Sequence, residues 1–244
     1  MSHLGIIVGV PAEARSLATH PIVKEELACL REGVTLNVSG VGPKRAGTAS
    51  RLLLEKGATA LLSWGSAGGL SQKLSPGSLI LPEIIIASDR SVYHVDSSWH
   101  EGLCNRLRGQ VEFHTGPLAE SPTVVRTPSE KAILFQQTGA IGVDMESAAV
   151  AAVAQGARVP FVAVRAVADP RNVAVPNSAL YACDEFGRLN FLKLIRGIVV
   201  RPTELFSLIR LGRDYRAAQN TLARVARITG SDLLVPQEGQ REQR

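Results

Sequence analysis

Ala60-Leu61-Leu62-Ser63-Trp64-Gly65-Ser66-Ala67-Gly68-Gly69-Leu70 is the stretch on which the fold turns. Its opening residues make a short apolar run of the kind that forms a buried strand, and glycines follow at once. On this reading Gly65–Gly69 is a loop at the carboxyl end of a strand, where missing Cβ atoms let a ligand approach the backbone. Ser66 adds a hydroxyl. The spacing is neither GxGxxG nor a Walker loop, which needs a following Lys-Ser/Thr, and a plain strand-to-helix turn explains the glycines equally well.

The same alternation extends outward in both directions. Leu4–Val8 reads as a buried strand followed by a helix from Ala12 to Ala18. Leu36–Val41 is a second strand, ending in Gly40-Val41-Gly42-Pro43, with a helix from Lys44 to Lys56 behind it. Further strands are expected at Ser78–Leu81, Ile84–Ala87, Ala140–Val143 and Phe161–Val167, with an Ala-rich helix over Met145–Gln155. Strands that are apolar throughout, interleaved with helices, imply an α/β sheet covered on both faces. Ligands in such folds sit at the carboxyl ends of the strands, where the motifs of this chain fall.

Composition bounds the rest. The chain has 244 residues, 45% apolar and 20% charged, which suits one globular α/β domain with room for an appendage. No apolar run reaches the roughly 20 residues that cross a bilayer, and the amino end lacks the pattern of a secretory signal. Cys29, Cys104 and Cys183 are widely spaced without a CxxC, which argues against a disulfide framework or a structural zinc site. The expectation is a cytoplasmic protein with reduced thiols, no metal and no organic cofactor. The net charge of +5 is uneven: residues 188–228 hold nine Lys/Arg against Glu204 and Asp214, so the remainder of the chain carries −2.

Three further segments place acids at strand ends. Val143-Asp144-Met145-Glu146-Ser147-Ala148-Ala149 brackets a methionine with carboxylates at a strand-to-helix switch. Asp144 and Glu146 can serve there as helix-start acids; alternatively Glu146 accepts hydrogen bonds from sugar hydroxyls, with Met145 as an apolar floor. Arg165-Ala166-Val167-Ala168-Asp169-Pro170 ends a strand in a carboxylate whose direction the proline fixes. Glu13 lies four residues past Gly9, at the mouth of the first strand.

Together these segments resemble the purine nucleoside phosphorylase/uridine phosphorylase superfamily, and within it most of all the methylthioadenosine/S-adenosylhomocysteine nucleosidases. The matching pieces are Gly9…Glu13, Ser39-Gly40-Val41-Gly42, Gly65–Leu70, Val143–Glu146, Arg165–Asp169 and Asp184-Glu185-Phe186, in family order over residues 4–200. The resemblance implies a three-layer fold with a central mixed, twisted sheet flanked by helices, a homodimer, and cleavage of an N-glycosidic bond. It implies that Asp169 protonates the departing purine, that Glu146 holds the ribose, and that Glu13 orients or deprotonates water. Ser66, Ala67, Gly68 and Met145 would line the sugar and base. The adenine-facing stretch Ser121–Thr127 has no aromatic residue, and Val124 and Val125 stand in its place. The serine usual before the catalytic aspartate is Ala168. Where the phosphorylase branch has arginines to clamp phosphate, this chain has Glu13 and Ser63, which favours water as the nucleophile. Arg15, Lys44 and Arg45 leave a different phosphate cradle open.

Beyond residue 182 the pattern changes. Asp184 caps an expected helix with Leu189, Leu192, Ile195 and Val199 on its apolar face, and Arg201-Pro202 breaks it. A second amphipathic helix follows, with Leu205, Leu208, Ile209, Tyr215, Leu222, Val225 and Ala226 on one side and Arg210, Arg213, Arg216 and Arg224 on the other. The expected organisation is a catalytic domain over 1–200, a basic helical extension over 201–230 and a frayed tail over 231–244. A nucleosidase-like core continued by this extension is similar to the hopanoid-biosynthesis-associated phosphorylase-like proteins of bacteria. That resemblance implies a lipid-linked nucleoside, adenosylhopane, as substrate, and contact of the 201–228 helix with an anionic membrane rather than with nucleic acid. A soluble nucleosidase acting on small thio-nucleosides, or a catalytically silent nucleoside binder, are the alternatives.

Overall fold

A computed structural model describes residues 3–17, 27–182, 200–230, 233 and 235. Strand β1 (Leu4–Val8) is buried along its whole length, parallel to β3 (Val34–Val38) on one side and β4 (Ala60–Gly69) on the other. β2 (Leu27–Arg31), which the sequence pattern did not show, pairs antiparallel with β3 at that edge. β4 is the axis of the sheet. It runs parallel to β11 (Phe161–Asp169), and its glycine end also pairs antiparallel with β10 (Gly142–Asp144). Past β10 come β9 (Leu118–Glu120), β6 (Ile84–Ile86) and β7 (Val92–His94); past β11 come β5 (Leu79–Ile80) and β8 (Phe113–His114). The result is the expected mixed sheet.

Helices cover both faces. On one, α2 (Pro43–Glu55) and α5 (Ser147–Ala157) pack over Ile7, Leu61 and Ala163, with Ala46, Ala49, Ala148, Ala151 and Ala154 permitting close approach. On the other, α3 (Ser97–Leu107) and α7 (Leu205–Thr229) cover Leu62, Trp64, Val164 and Ala166. The short α1 (Pro11–Ala14) follows β1, α4 (Pro128–Thr138) precedes β10, and α6 (Asn177–Ala182) follows β11.

The structure corrects several expectations. Gly65–Gly69 is not a loop but the last half of β4, because β10 and β11 supply ladder partners on both sides of it. The first helix is one turn, Pro11–Ala14. Leu4–Val8 stands as read, and strand and helix bounds elsewhere move by at most three residues, as hydrogen bonding rather than apolar content sets them. α3 and α4 were not read from the sequence, although α4 opens with a Thr127/Glu130 capping box and Pro128 at its first position. On α7 the buried face is Asp214, Ala218, Leu222, Val225 and Thr229, whereas Leu205, Phe206 and Ile209 are exposed. The apolar side expected for this helix is therefore buried only in its second half. The helix expected after Asp184 lies outside the described residues, as does most of 231–244. Just past α7, however, Leu233 is buried and its carbonyl accepts the indole N–H of Trp99 at 2.7 Å.

Candidate active site

Glu13 reaches the end of β4 from α1. Its Oε2 accepts the backbone N–H of Gly9 (3.1 Å) and Val10 (3.3 Å), and its Oε1 accepts both the N–H and the hydroxyl of Ser66 at 2.7 Å. The carboxylate is buried and lies against Gly65, where a Cβ would stand only 2.7 Å from it. Glycine at 65 is what admits the acid.

Glu146 arrives at the same place from the start of α5. Its Oε1 accepts the Gly42 N–H at 2.9 Å and its Oε2 the Met145 N–H at 3.3 Å. A Cβ on Gly9 would lie 3.5 Å from Glu146 Oε1 and 3.6 Å from Glu13 Oε2, so the two carboxylates meet at that glycine. Burial, reinforced by Asp144 and Glu13, pushes the Glu146 carboxyl up to about 8, against the opposing pull of Arg165 and the Gly42 N–H.

A buried polar network supports this pair from below. Asp144 Oδ2 accepts Nε and Nη2 of Arg165, both at 2.7 Å, and also the Ser147 hydroxyl. Arg165 Nη2 donates further to Ser63 Oγ (2.6 Å) and Ser147 Oγ (3.1 Å). All four side chains are buried, and the guanidinium is committed to its partners. The sequence presented Arg165 and Asp144 only as parts of motifs; their pairing is a finding of the fold.

Gly68 lies three residues past Gly65, about 10 Å along β4 at ordinary strand spacing, and opposite it Asp169 ends β11. A register shift between Val167 and Asp169 turns it, so that a Cβ on Gly68 would lie 3.3 Å from Oδ2 and 3.6 Å from Oδ1. Its partner is Lys131, 2.6 Å from Oδ2 and fully buried. Burial raises the Asp169 carboxyl above the usual carboxylate range, Lys131 opposes that rise, and Asp214 adds to it. Lys131 was missed; a lysine in the first turns of a helix opposes the helix dipole, and that was the available signal.

The remaining expected residues divide. Ser66 holds Glu13, Gly68 backs Asp169, and Met145 is half-buried between Asp144 and Glu146. Ala67 points into the core beneath α2 and α5, leaving its backbone alone for the site. Val125 packs with Leu70 and Val143, and Val143 borders Gly68, whereas the Val124 side chain is exposed. Glu120, also missed, is buried, accepts the Ala149 N–H at 3.0 Å and is pushed up to about 7 by that burial. Among the described residues no group of three His, Cys, Asp or Glu side chains is placed to hold a metal ion. A shallow cavity of about 330 Å3 lined by Tyr93, Val95, Ala151 and Phe161 opens at the other end of β11 and contains none of the three acids.

The model of the Phosphorylase superfamily matches residues 3–188. A 5′-methylthioadenosine/S-adenosylhomocysteine nucleosidase of Buchnera aphidicola subsp. Baizongia pistaciae is 26% identical over 167 residues, 61% of this chain. The match spans 66% of that relative, just under two thirds. The protein of the same name from Staphylococcus epidermidis is 26% identical over 158 residues, covering 57% of this chain and 69% of its own. Among solved structures, the nucleosidase of that name from Neisseria meningitidis, in complex with methylthio-immucillin-A, superposes with a TM-score of 0.70 at 16% identity, covering 95% of this chain and 100% of the other. Futalosine hydrolase of Helicobacter pylori gives 0.66 at 16% identity over 93% and 97%. At such identities the superpositions show the fold.

Proposed function

The chain belongs to the phosphorylase superfamily, and from that premise we propose that it is a nucleosidase that cleaves the N-glycosidic bond of a 5′-substituted adenosine with water, releasing adenine. One observation carries the reading: Glu13, Glu146 and Asp169 come from three different elements to the glycines at one end of the sheet, Glu13 at Gly9 and Gly65, Glu146 at Gly9, Asp169 at Gly68. An N-glycosidic bond breaks when the base leaves with the bonding electron pair and positive charge develops on the ribose. Asp169 protonates N7 of the purine as the C1′–N9 bond breaks. Glu146 holds the ribose hydroxyls, and the developing cation favours its carboxylate form. Glu13 takes one proton from the water whose oxygen bonds to C1′, and solvent returns that proton to Asp169. Nucleoside and water thus become adenine and the free sugar.

Water is favoured over phosphate because Arg165 is committed to Asp144, Ser63 and Ser147, and an acid, Glu13, occupies the mouth of the first strand. Adenine release should be measured with methylthioadenosine and with a series of longer 5′-alkylthioadenosines, with and without phosphate. The expected results are a free sugar by mass, no phosphate dependence, and a loss of at least ~100-fold in Asp169→Asn. Adenine release at the wild-type rate by that variant would overturn the reading, and a sugar 1-phosphate would replace hydrolysis with phosphorolysis.

For the 5′ group we propose adenosylhopane, converted to ribosylhopane (or, by phosphorolysis, phosphoribosylhopane) at the cytoplasmic face of an anionic membrane by a homodimer. Support comes from the resemblance of the 201–228 stretch and from an exposed apolar strip, Tyr181, Val200, Leu205, Phe206 and Ile209, flanked by exposed Arg201, Arg210 and Arg213. The Glu204 carboxylate accepts the N–H (2.9 Å) and hydroxyl (2.6 Å) of Ser178, which ties this strip to the segment that follows Asp169. A basic helix start with an apolar face suits an anionic lipid surface. No described helix is long and apolar enough to cross a membrane. Phe206→Glu with Ile209→Glu should abolish sedimentation with anionic vesicles while leaving turnover of methylthioadenosine intact. Unchanged vesicle binding favours the soluble nucleosidase acting on small thio-nucleosides, and sedimentation equilibrium tests the dimer.

A further inference from the structure

Lys131 belongs to no motif, yet like Arg165 it is a buried cation at the acid end of the molecule. Its Nζ contacts Asp169 Oδ2 at 2.6 Å and donates to the carbonyls of Asp169 (3.2 Å), Pro170 (3.0 Å) and Val173 (2.9 Å). Three carbonyls and a carboxylate are all acceptors, which suits a group that can only donate. A buried ion pair is a poor stabiliser compared with an apolar pair of the same volume, and stability alone does not account for it. Among the described residues, only Lys131 bonds the Asp169 carboxyl, and it takes one oxygen of the two. The other charged side chain acting on that carboxyl is Asp214 of α7, itself flanked by Arg210 and Arg213 at 3.6 Å.

We propose that Lys131 is the positioning residue for proton donation: by engaging Oδ2 it leaves Oδ1 to carry the proton to the purine, and it remains as counter-cation once that proton has gone. The inference rests on the reading of Asp169 as the acid. Its loop contacts give the second half of the role, because the same nitrogen holds the chain from Asp169 to Val173 in one arc and so sets the direction of the carboxyl. When N7 takes the proton, the electron pair left on Oδ1 forms a carboxylate, and its charge is met at once by an ammonium already in place.

The test compares the full-length wild type with Lys131→Met and Lys131→Gln on the 5′-alkylthioadenosine turned over fastest, and on para-nitrophenyl riboside, whose leaving group departs without protonation. Lys131→Met should lose roughly 100-fold in kcat for adenine release with KM within about threefold, and hydrolyse the nitrophenyl riboside within about threefold of wild type. Lys131→Gln, which still donates to Oδ2, should recover part of the loss. In both variants the alkaline limb of the pH profile should move upward, since the carboxyl loses its cation. Adenine release near the wild-type rate in Lys131→Met, or a loss that is uniform across pH, would overturn the proposal. The Asp169→Asn variant separates the two ideas: if it still releases adenine, the assignment of the acid has failed, whatever the lysine variants do.

Discussion

A methyl group on Gly65 would stand 2.7 Å from the carbon and both oxygens of the Glu13 carboxyl. The backbone of β4 and the acid of α1 share a space that only a hydrogen atom leaves open. The same carboxyl is held by three backbone N–H groups and one hydroxyl, so it has a single direction.

Gly65→Ala should therefore separate catalysis from folding. The atoms displaced are the far end of one side chain, so thermal stability should stay within a few degrees of wild type. A displaced Glu13 would no longer face the same point, and a shift of about 1 Å costs roughly 100-fold in rate. Adenine release and a thermal melt on the same preparation check both halves.

The Arg165–Asp144 pair makes the opposite prediction. Both groups are buried, and removing one leaves the other charged and unpaired. Arg165→Leu should destabilise the protein by about 3–5 kcal/mol. Arg165→Lys should recover little, because one ammonium cannot reach Asp144, Ser63 and Ser147 in the geometry of a guanidinium fork. Urea unfolding curves measure both.

Stability should fall from pH 6 to pH 8. Burial lifts Glu120 from 4.5 to about 7 and Glu146 to about 8. For an acid raised in this way the native state holds the extra proton, so the contribution is complete below about 4.5 and is lost as pH rises through 7 to 8. For Glu120 alone the loss between pH 6 and 8 is roughly 1 kcal/mol. Glu120→Gln should flatten the dependence by that amount in chemical denaturation at the two pH values, and an unchanged slope would refute the assignment.

Trp99 makes a smaller prediction of its own. Its indole N–H donates to the Leu233 carbonyl at 2.7 Å inside the core, so Trp99→Phe leaves a buried acceptor without that donor. The expected cost is about 1–3 kcal/mol, read as a lower melting temperature and as faster amide exchange at the carboxyl end of α7.

Chain order puts Glu13, Glu146 and Asp169 past apolar runs, at strand ends, but it was the family resemblance that grouped them as a set. Their partners were not legible. Ser63, Ser147 and Arg165 meet across 18 to 102 positions of sequence, and no spacing rule connects them. Val124 and Val125 show the limit of reading a wall from composition: adjacent residues on an irregular segment point apart, and only Val125 reaches Val143. The outward turns of α7 were equally hidden, since Leu205 and Ile209 fit the apolar stripe but extend past the sheet that buries Leu222 and Val225.

Local chemistry written along the chain determined the layered α/β architecture and the strand ends past which Glu13, Glu146 and Asp169 stand, because apolar runs and glycines act on their nearest neighbours in sequence. Packing decided two further things. Gly65–Gly69 became strand when β10 and β11 arrived to satisfy its amides, and Asp169 gained an ammonium from a helix 38 residues away. Both rest on hydrogen bonds and Coulomb attraction between remote segments, whose strength depends on distance in space and on exclusion of water.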